Sequence, residues 1–171
     1  MNRSAIIQVF YFFLYLLVQV MLLKNLVLFN VSFCFLYVAY ILLLPIDTNP
    51  LVLMVVGFLM GFMVDVFYDS LGLHACTVVM IAYLRNFWLA SITPQGGYDA
   101  GAGPVIAANG FQWFIVYSLP LVFVHHFVLF FVEAGGFSVF WYTMLKVITS
   151  LFFTMTTIIL LQYLFYDQRR L

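Results

Sequence analysis

The sequence predicts an all-α fold: a bundle of six transmembrane helices forming a single integral membrane domain over residues 1–171. Three observations predict it. Of the 171 residues, 67% are hydrophobic and 7% are charged, where a soluble domain runs at roughly 45–50% apolar and about 25% charged. Apolar runs close to the ~20 residues that cross a hydrocarbon core recur along the chain. Short polar, Gly- or Pro-containing breaks separate those runs. The same composition excludes disorder, which needs low hydrophobicity and high charge. A net charge of zero lacks the basic field of a nucleic-acid binder. Cys34 and Cys76 lie inside apolar runs with no metal or disulfide spacing, and read as small hydrophobes.

Spans in lipid are helical because the hydrocarbon core offers backbone groups no partner. The first covers residues 5–23. It is longer than the h-region of a cleavable signal and lacks a small-residue cleavage site, so it reads as a retained span. Lys24 and Asn25 break it, and the second covers residues 26–44. Residues 45–50, with Asp47, Thr48 and Asn49 between two prolines, form a polar turn. The third span covers residues 51–68, a tight turn follows at 69–72, and the fourth covers residues 73–90. The Gly-rich stretch 93–104 is a connector without the GK[ST] of a phosphate loop. The fifth lies within residues 105–132, which is too long to cross without tilt or a break, and Pro120 in its middle predicts a kink. Residues 137–165 would extend about 44 Å at 1.5 Å per residue, beyond the ~30 Å core. Residues 137–146 are therefore expected at the interface, where Trp141 and Tyr142 suit the headgroup belt. The sixth span is then 147–165, and Lys146 needs no buried partner.

Six spans place both termini on one side. Arg3, Arg85, Arg169 and Arg170 fall on that side, Lys24 and Lys146 on the other. The bias favours cytoplasmic termini.

Polar groups within spans carry the functional candidates. Gly57 and Gly61 form GxxxG, which lets a helix approach closely, and Asp65 continues that face. The stripe is aimed at protein, either within the bundle or in a partner. Folding the chain about Ser70 separates Asp65 from Arg85 by roughly 13 Å along the axis, so no bridge is expected. His74 and Thr77 are nearer to Asp65, and Arg85 is expected to snorkel to the headgroups beside Trp88. Asp65 and Asp69 form DxxxD, a spacing that can hold Mg²⁺ and a diphosphate in membrane transferases. The remaining acids, Asp47, Asp99, Glu133 and Asp167, fall in loops or at the end, so no metal site is expected. His125 and His126 are adjacent and point about 100° apart on a helix. With no HExxH, one of them is expected to face the bundle and hydrogen-bond there. Gln8, Tyr15 and Gln19 share a face of the first span. Ser150, Thr154 and Thr157 share a face of the sixth, a pattern typical of interhelical glue or a docking surface. No GxSxG elbow or other catalytic constellation is present, and neither catalytic residues nor a cofactor is expected.

Leu44-Pro45, Gly57-Phe58-x-x-Gly61-x-x-x-Asp65-x-Phe67, Gly72-x-His74-Ala75 and Ala82-Tyr83-Leu84-Arg85 together resemble the rod shape-determining MreD family. Residues 93–98 and His125-His126 look like the Bacteroidetes branch of that family, and the Arg169-Arg170 tail fits it. Asn86 departs from the Pro expected there. The resemblance covers the chain from about residue 26 onward. It implies a six-helix fold similar to the substrate-binding S-components of energy-coupling-factor transporters. It also implies a non-enzymatic subunit of the bacterial inner membrane that supports cell elongation. Its implied partners are an MreC-like protein, a RodA-type glycosyltransferase, a class B penicillin-binding transpeptidase and actin-like MreB. The similarity to S-components keeps a second expectation open, a small-ligand-binding transporter subunit with a pocket near Asp65, Asp69, His74 and Glu133. A membrane enzyme using DxxxD is the third.

Overall fold

The computed structural model describes residues 3–99, 101 and 103–165. Five helices in it are long and apolar enough to cross a membrane. The chain is a multi-pass membrane protein on this measure. The first, α1 (Arg3–Leu17), continues as a π-helical turn over Val18–Leu23. The others are α3 (Pro50–Tyr68), α4 (Leu73–Ser91), α6 (Phe111–Glu133) and α7 (Phe140–Phe165).

The second expected span, residues 26–44, is not a continuous helix. Val27–Leu28 (β1) and Ser32–Phe33 (β2) pair as a small antiparallel hairpin. Its turn places Phe29 and Asn30 at positive φ. An extended stretch follows, and only Tyr37–Leu43 (α2) is helical. Residues 34–42 are buried without interruption. This segment is therefore the core around which the five long helices pack. Non-helical backbone is tolerated at membrane depth only where protein surrounds and satisfies it, and that condition is met here.

Local chemistry sets the other boundaries. Asn49 caps α3 by accepting from Leu51 N at 2.9 Å, with Pro50 as the first helical residue. Asp69 ends α3 in the left-handed conformation, and Gly72, with φ 84°, opens α4. The stretch 105–132, expected to need tilt or a break, is broken at Gly110, after the short α5 (Ile106–Asn109). The helix α6 then runs through Pro120 unbroken. Proline lacks the N–H that would bond the carbonyl four residues earlier, and that carbonyl, Val116, accepts instead from Trp88 Nε1 at 3.1 Å. The last helix starts at Phe140 rather than 147, so Lys146 lies within it. Its ammonium sits 5.4–5.8 Å from the rings of Phe33, Phe130 and Tyr142. Three aromatic faces supply a cation–π environment, which is why the helix need not stop short of the charge.

Candidate functional site

Most of the buried polar residues singled out by sequence fall into two joined clusters, with Arg85 apart from both at the end of α2. The first locks α3 to α4. A Cβ on Gly61 would lie 2.5 Å from Ala75 Cα and 2.7 Å from the His74 carbonyl oxygen, so only glycine permits this approach. One turn earlier, a Cβ on Gly57 would meet Val78 Cγ1 at 3.1 Å and Ala82 Cβ at 3.6 Å. The GxxxG stripe is thus spent within the chain.

The approach at Gly61 brings Asp65 to the start of α4. Gly72 has no side chain to cap that helix, leaving its first N–H groups without acceptors. Asp65 supplies them from the neighbouring helix. Its carboxylate accepts from His74 N at 2.9 Å and Ala75 N at 2.8 Å, the positions an N-cap side chain normally serves. Ser70 Oγ donates to it at 2.7 Å, and His74 Nδ1 lies 3.1 Å away. The negative charge also meets the positive end of the helix dipole. Thr77, the other expected neighbour, hydrogen-bonds its own helix at Leu73 and His74 carbonyls. Asp69 is exposed and does not join Asp65 in a shared site. Lys24 Nζ donates to Phe67 O near the end of α3, tying the end of the first span to it.

The second cluster holds the irregular core segment. Ser150 Oγ accepts from Phe33 N at 2.9 Å, and Thr154 Oγ1 from Phe35 N at 3.1 Å. Thr157 Oγ1 accepts from Cys34 Sγ at 3.5 Å. The hydroxyl stripe of α7 therefore serves the backbone N–H groups that the β1–β2 pairing leaves over at Phe33 and in the stretch after it. From the other side, Gln19 donates to Cys34 O at 3.0 Å and accepts from Tyr37 N at 3.3 Å. The π-helical turn carries this buried amide; such turns often mark a side chain under functional constraint.

All three histidines of the chain converge on Phe35. Its ring centroid lies 5.3 Å from His126, 5.6 Å from His74 and 5.9 Å from His125. Both members of the His125-His126 pair are buried, not one, because α6 is enclosed on more than a single face. His126 Nδ1 lies 2.8 Å from Val122 O, which only accepts, so Nδ1 carries the proton. Thr154 then donates to Nε2 at 3.0 Å. His125 Nε2 and the Tyr37 hydroxyl share a hydrogen bond of 2.8 Å. The result is one polar chain from the Phe35 amide through Thr154 and His126 to the α6 backbone, with His125 and Tyr37 alongside.

Arg85 does not snorkel. It is fully buried, donating from Nε to Tyr117 Oη at 2.8 Å and from Nη2 to the Leu44 and Pro45 carbonyls. Tyr117 in turn donates to Leu42 O at 2.8 Å. A seven-residue helix ending inside a bundle exposes its last carbonyls; Arg85 and Tyr117 cap them, and the cation meets the negative end of the α2 dipole. Trp88 Nε1 donates to the α6 backbone at the Val116 and Tyr117 carbonyls. As expected, Asp65 and Arg85 are not paired; among the described residues the Asp65 carboxylate has its close basic neighbour in His74 Nδ1, at 3.1 Å.

Glu133 lies exposed at the end of α6. Arg169, Arg170 and Asp167 lie outside the described residues. In the connector, burial pushes the Tyr98 phenol up, against the lowering influence of Thr93 and Trp113; its hydroxyl donates to Leu89 O and its ring lies 5.8 Å from that of Trp113. Sequence reasoning missed Phe35, Tyr37, Tyr117 and Gln162 as parts of the polar core. The alternation Phe33, Phe35, Tyr37 is a strand period and was the available signal.

No family model matches the chain, and no curated protein or solved structure matches it either.

Proposed function

We propose that this chain is a non-catalytic scaffold subunit of a bacterial inner membrane, of the MreD kind, with both termini cytoplasmic. It binds an MreC-like protein through that partner's single span and so supports the peptidoglycan-synthesising elongation complex. That complex contains a RodA-type glycosyltransferase and a class B penicillin-binding transpeptidase, with MreB on the cytoplasmic side. The observation that carries this reading is the use made of the polar residues. Asp65, His74, Arg85, Ser150 and Thr154 are spent on joining helices and capping backbone. Chemistry of that kind builds a rigid body to which other chains attach. A second support is α1, whose apolar window is only 11% buried, against 33–50% for the other four. Ile6, Phe10, Phe13, Leu17 and Met21 form an exposed stripe at helical spacing. A partner span laid on that stripe buries it without disturbing the core.

The test is affinity purification of the tagged chain from its native membrane in mild detergent, read by mass spectrometry. Recovery of an MreC-like protein with a peptidoglycan polymerase supports the scaffold. Recovery alone, or with an ATPase module and a bound small molecule, overturns it in favour of transport.

A further inference from the structure

A cavity of about 400 Å³ lies between α1, α2 and the C-terminal end of α7, within the roughly 300–1,000 Å³ of small-molecule sites. It is on the inner side of α1, away from the exposed stripe. Gln19 and Thr154 both bind residues 34–37. From that common level Gln8 lies roughly 16 Å, and Gln162 roughly 12 Å, along their helices at 1.5 Å per residue. Both lie toward the same end, because α1 and α7 run antiparallel there. Gln8, Tyr11 and Gln162 line that end, while Val18 and Leu36 line the other. The wall from Gln8 to Val18 is about 15 Å long, half of a ~30 Å hydrocarbon core.

Gln162 supplies the second observation. It is 3% exposed, and its Oε1 accepts from Ile106 N at 2.8 Å. An N–H must face the oxygen, so the amide orientation is fixed. Nε2 is buried with no acceptor among the described residues, on a side chain that lines the cavity. A buried donor of this kind calls for an acceptor. A passing helix would not serve, because its own carbonyls are already bonded within it. The cavity's rim includes Tyr11, Leu14 and Phe165, all exposed on membrane-spanning helices. Its entrance therefore opens sideways to lipid.

We propose that this cavity holds one acyl chain of a membrane phospholipid, with the ester carbonyl accepting a hydrogen bond from Gln162 Nε2. The chain runs from the amide end toward Val18 and Leu36, along the length of one leaflet. This goes beyond the scaffold reading and stands or falls independently of it.

The test places the full chain in nanodiscs of phosphatidylethanolamine and phosphatidylglycerol. These carry a trace of phospholipid with a photoactivatable diazirine midway along one acyl chain. Labelled residues are mapped by mass spectrometry. Val66 is exposed on α3 and serves as the internal standard, while Leu36 is 3% exposed and lines the cavity. The expected result is label on Leu36 as well as on Val66. Replacing the ester lipid by its dialkyl ether analogue should lower the Leu36 label about fivefold, the size of one neutral hydrogen bond. In Gln162→Met the two lipids should label Leu36 equally. Leu14→Trp, which fills the cavity and leaves Gln162 in place, should abolish the Leu36 label. Absence of label on Leu36 while Val66 is labelled overturns the proposal. So does a Leu36 label indifferent both to the ether lipid and to Leu14→Trp.

Discussion

Gly57 and Gly61 stand one turn apart on α3, yet a methyl group has different consequences at the two. At Gly61 it collides with backbone, which cannot give. At Gly57 it meets the tip of Val78, which can shift by a few tenths of an ångström. Gly61→Ala should therefore cost about 1–3 kcal/mol through overpacking, and Gly57→Ala clearly less, as read by thermal unfolding in nanodiscs. Loss at Gly61 should also carry Asp65 away from the start of α4. The two effects converge on the same pair of amides, so Gly61→Ala and Asp65→Ala should be non-additive. On its own, Asp65→Ala leaves the His74 and Ala75 N–H groups without an acceptor, at roughly 1–3 kcal/mol for each buried group. Asp65→Asn keeps one oxygen there and should be milder. Comparable losses in the two variants would mean that the cap is not what Asp65 contributes.

Two elements depend on bonds from a neighbour. The first is α6, whose Val116 carbonyl is released by Pro120 and taken by Trp88. Trp88→Phe should cost about 1 kcal/mol, the usual net value of such a bond. In a Pro120→Ala background the new N–H serves Val116, and the same change should cost much less. A double-mutant cycle measures the difference. The second is the irregular segment held by α7. Ser150→Ala and Thr154→Val remove the acceptors for the Phe33 and Phe35 amides. Those amides should then exchange faster with solvent deuterium, whereas Thr156→Val, at an exposed position on the same helix, should leave them protected. These elements also show what the sequence makes legible. The bounds of α3 and α4 follow from Asn49, Pro50 and the turn around Ser70, because caps and breaks are local. Residues 26–44 read as a helix because hydropathy records how apolar a run is, not which residues elsewhere will bond its backbone. The acceptors that make an extended path tolerable sit more than a hundred residues away, on α7. For the same reason Arg85 reads as a surface charge. The carbonyls it caps exist only because α2 ends inside the bundle.

At the scale of the whole molecule, the polar residues that bond between helices are directed inward, and the first span is the one least buried by the rest of the chain. Arg85 and Tyr117 at the end of α2, Gln19 at Tyr37 and the α7 hydroxyls at Phe33 and Phe35 hold α2 and the stretch before it at the centre of five long helices. A body fixed in this way presents α1 as the surface a partner span would cover. The most direct measurement replaces Phe10 or Phe13 on the exposed stripe with a photo-crosslinking residue, and Val66 on α3 in parallel. Crosslinking is done in the native membrane, and the adducts are identified by mass spectrometry. The scaffold account predicts adducts from Phe10 and Phe13 to the single span of an MreC-like protein, and none to it from Val66. Adducts to lipid alone from all three positions, or to an ATPase module, would contradict it.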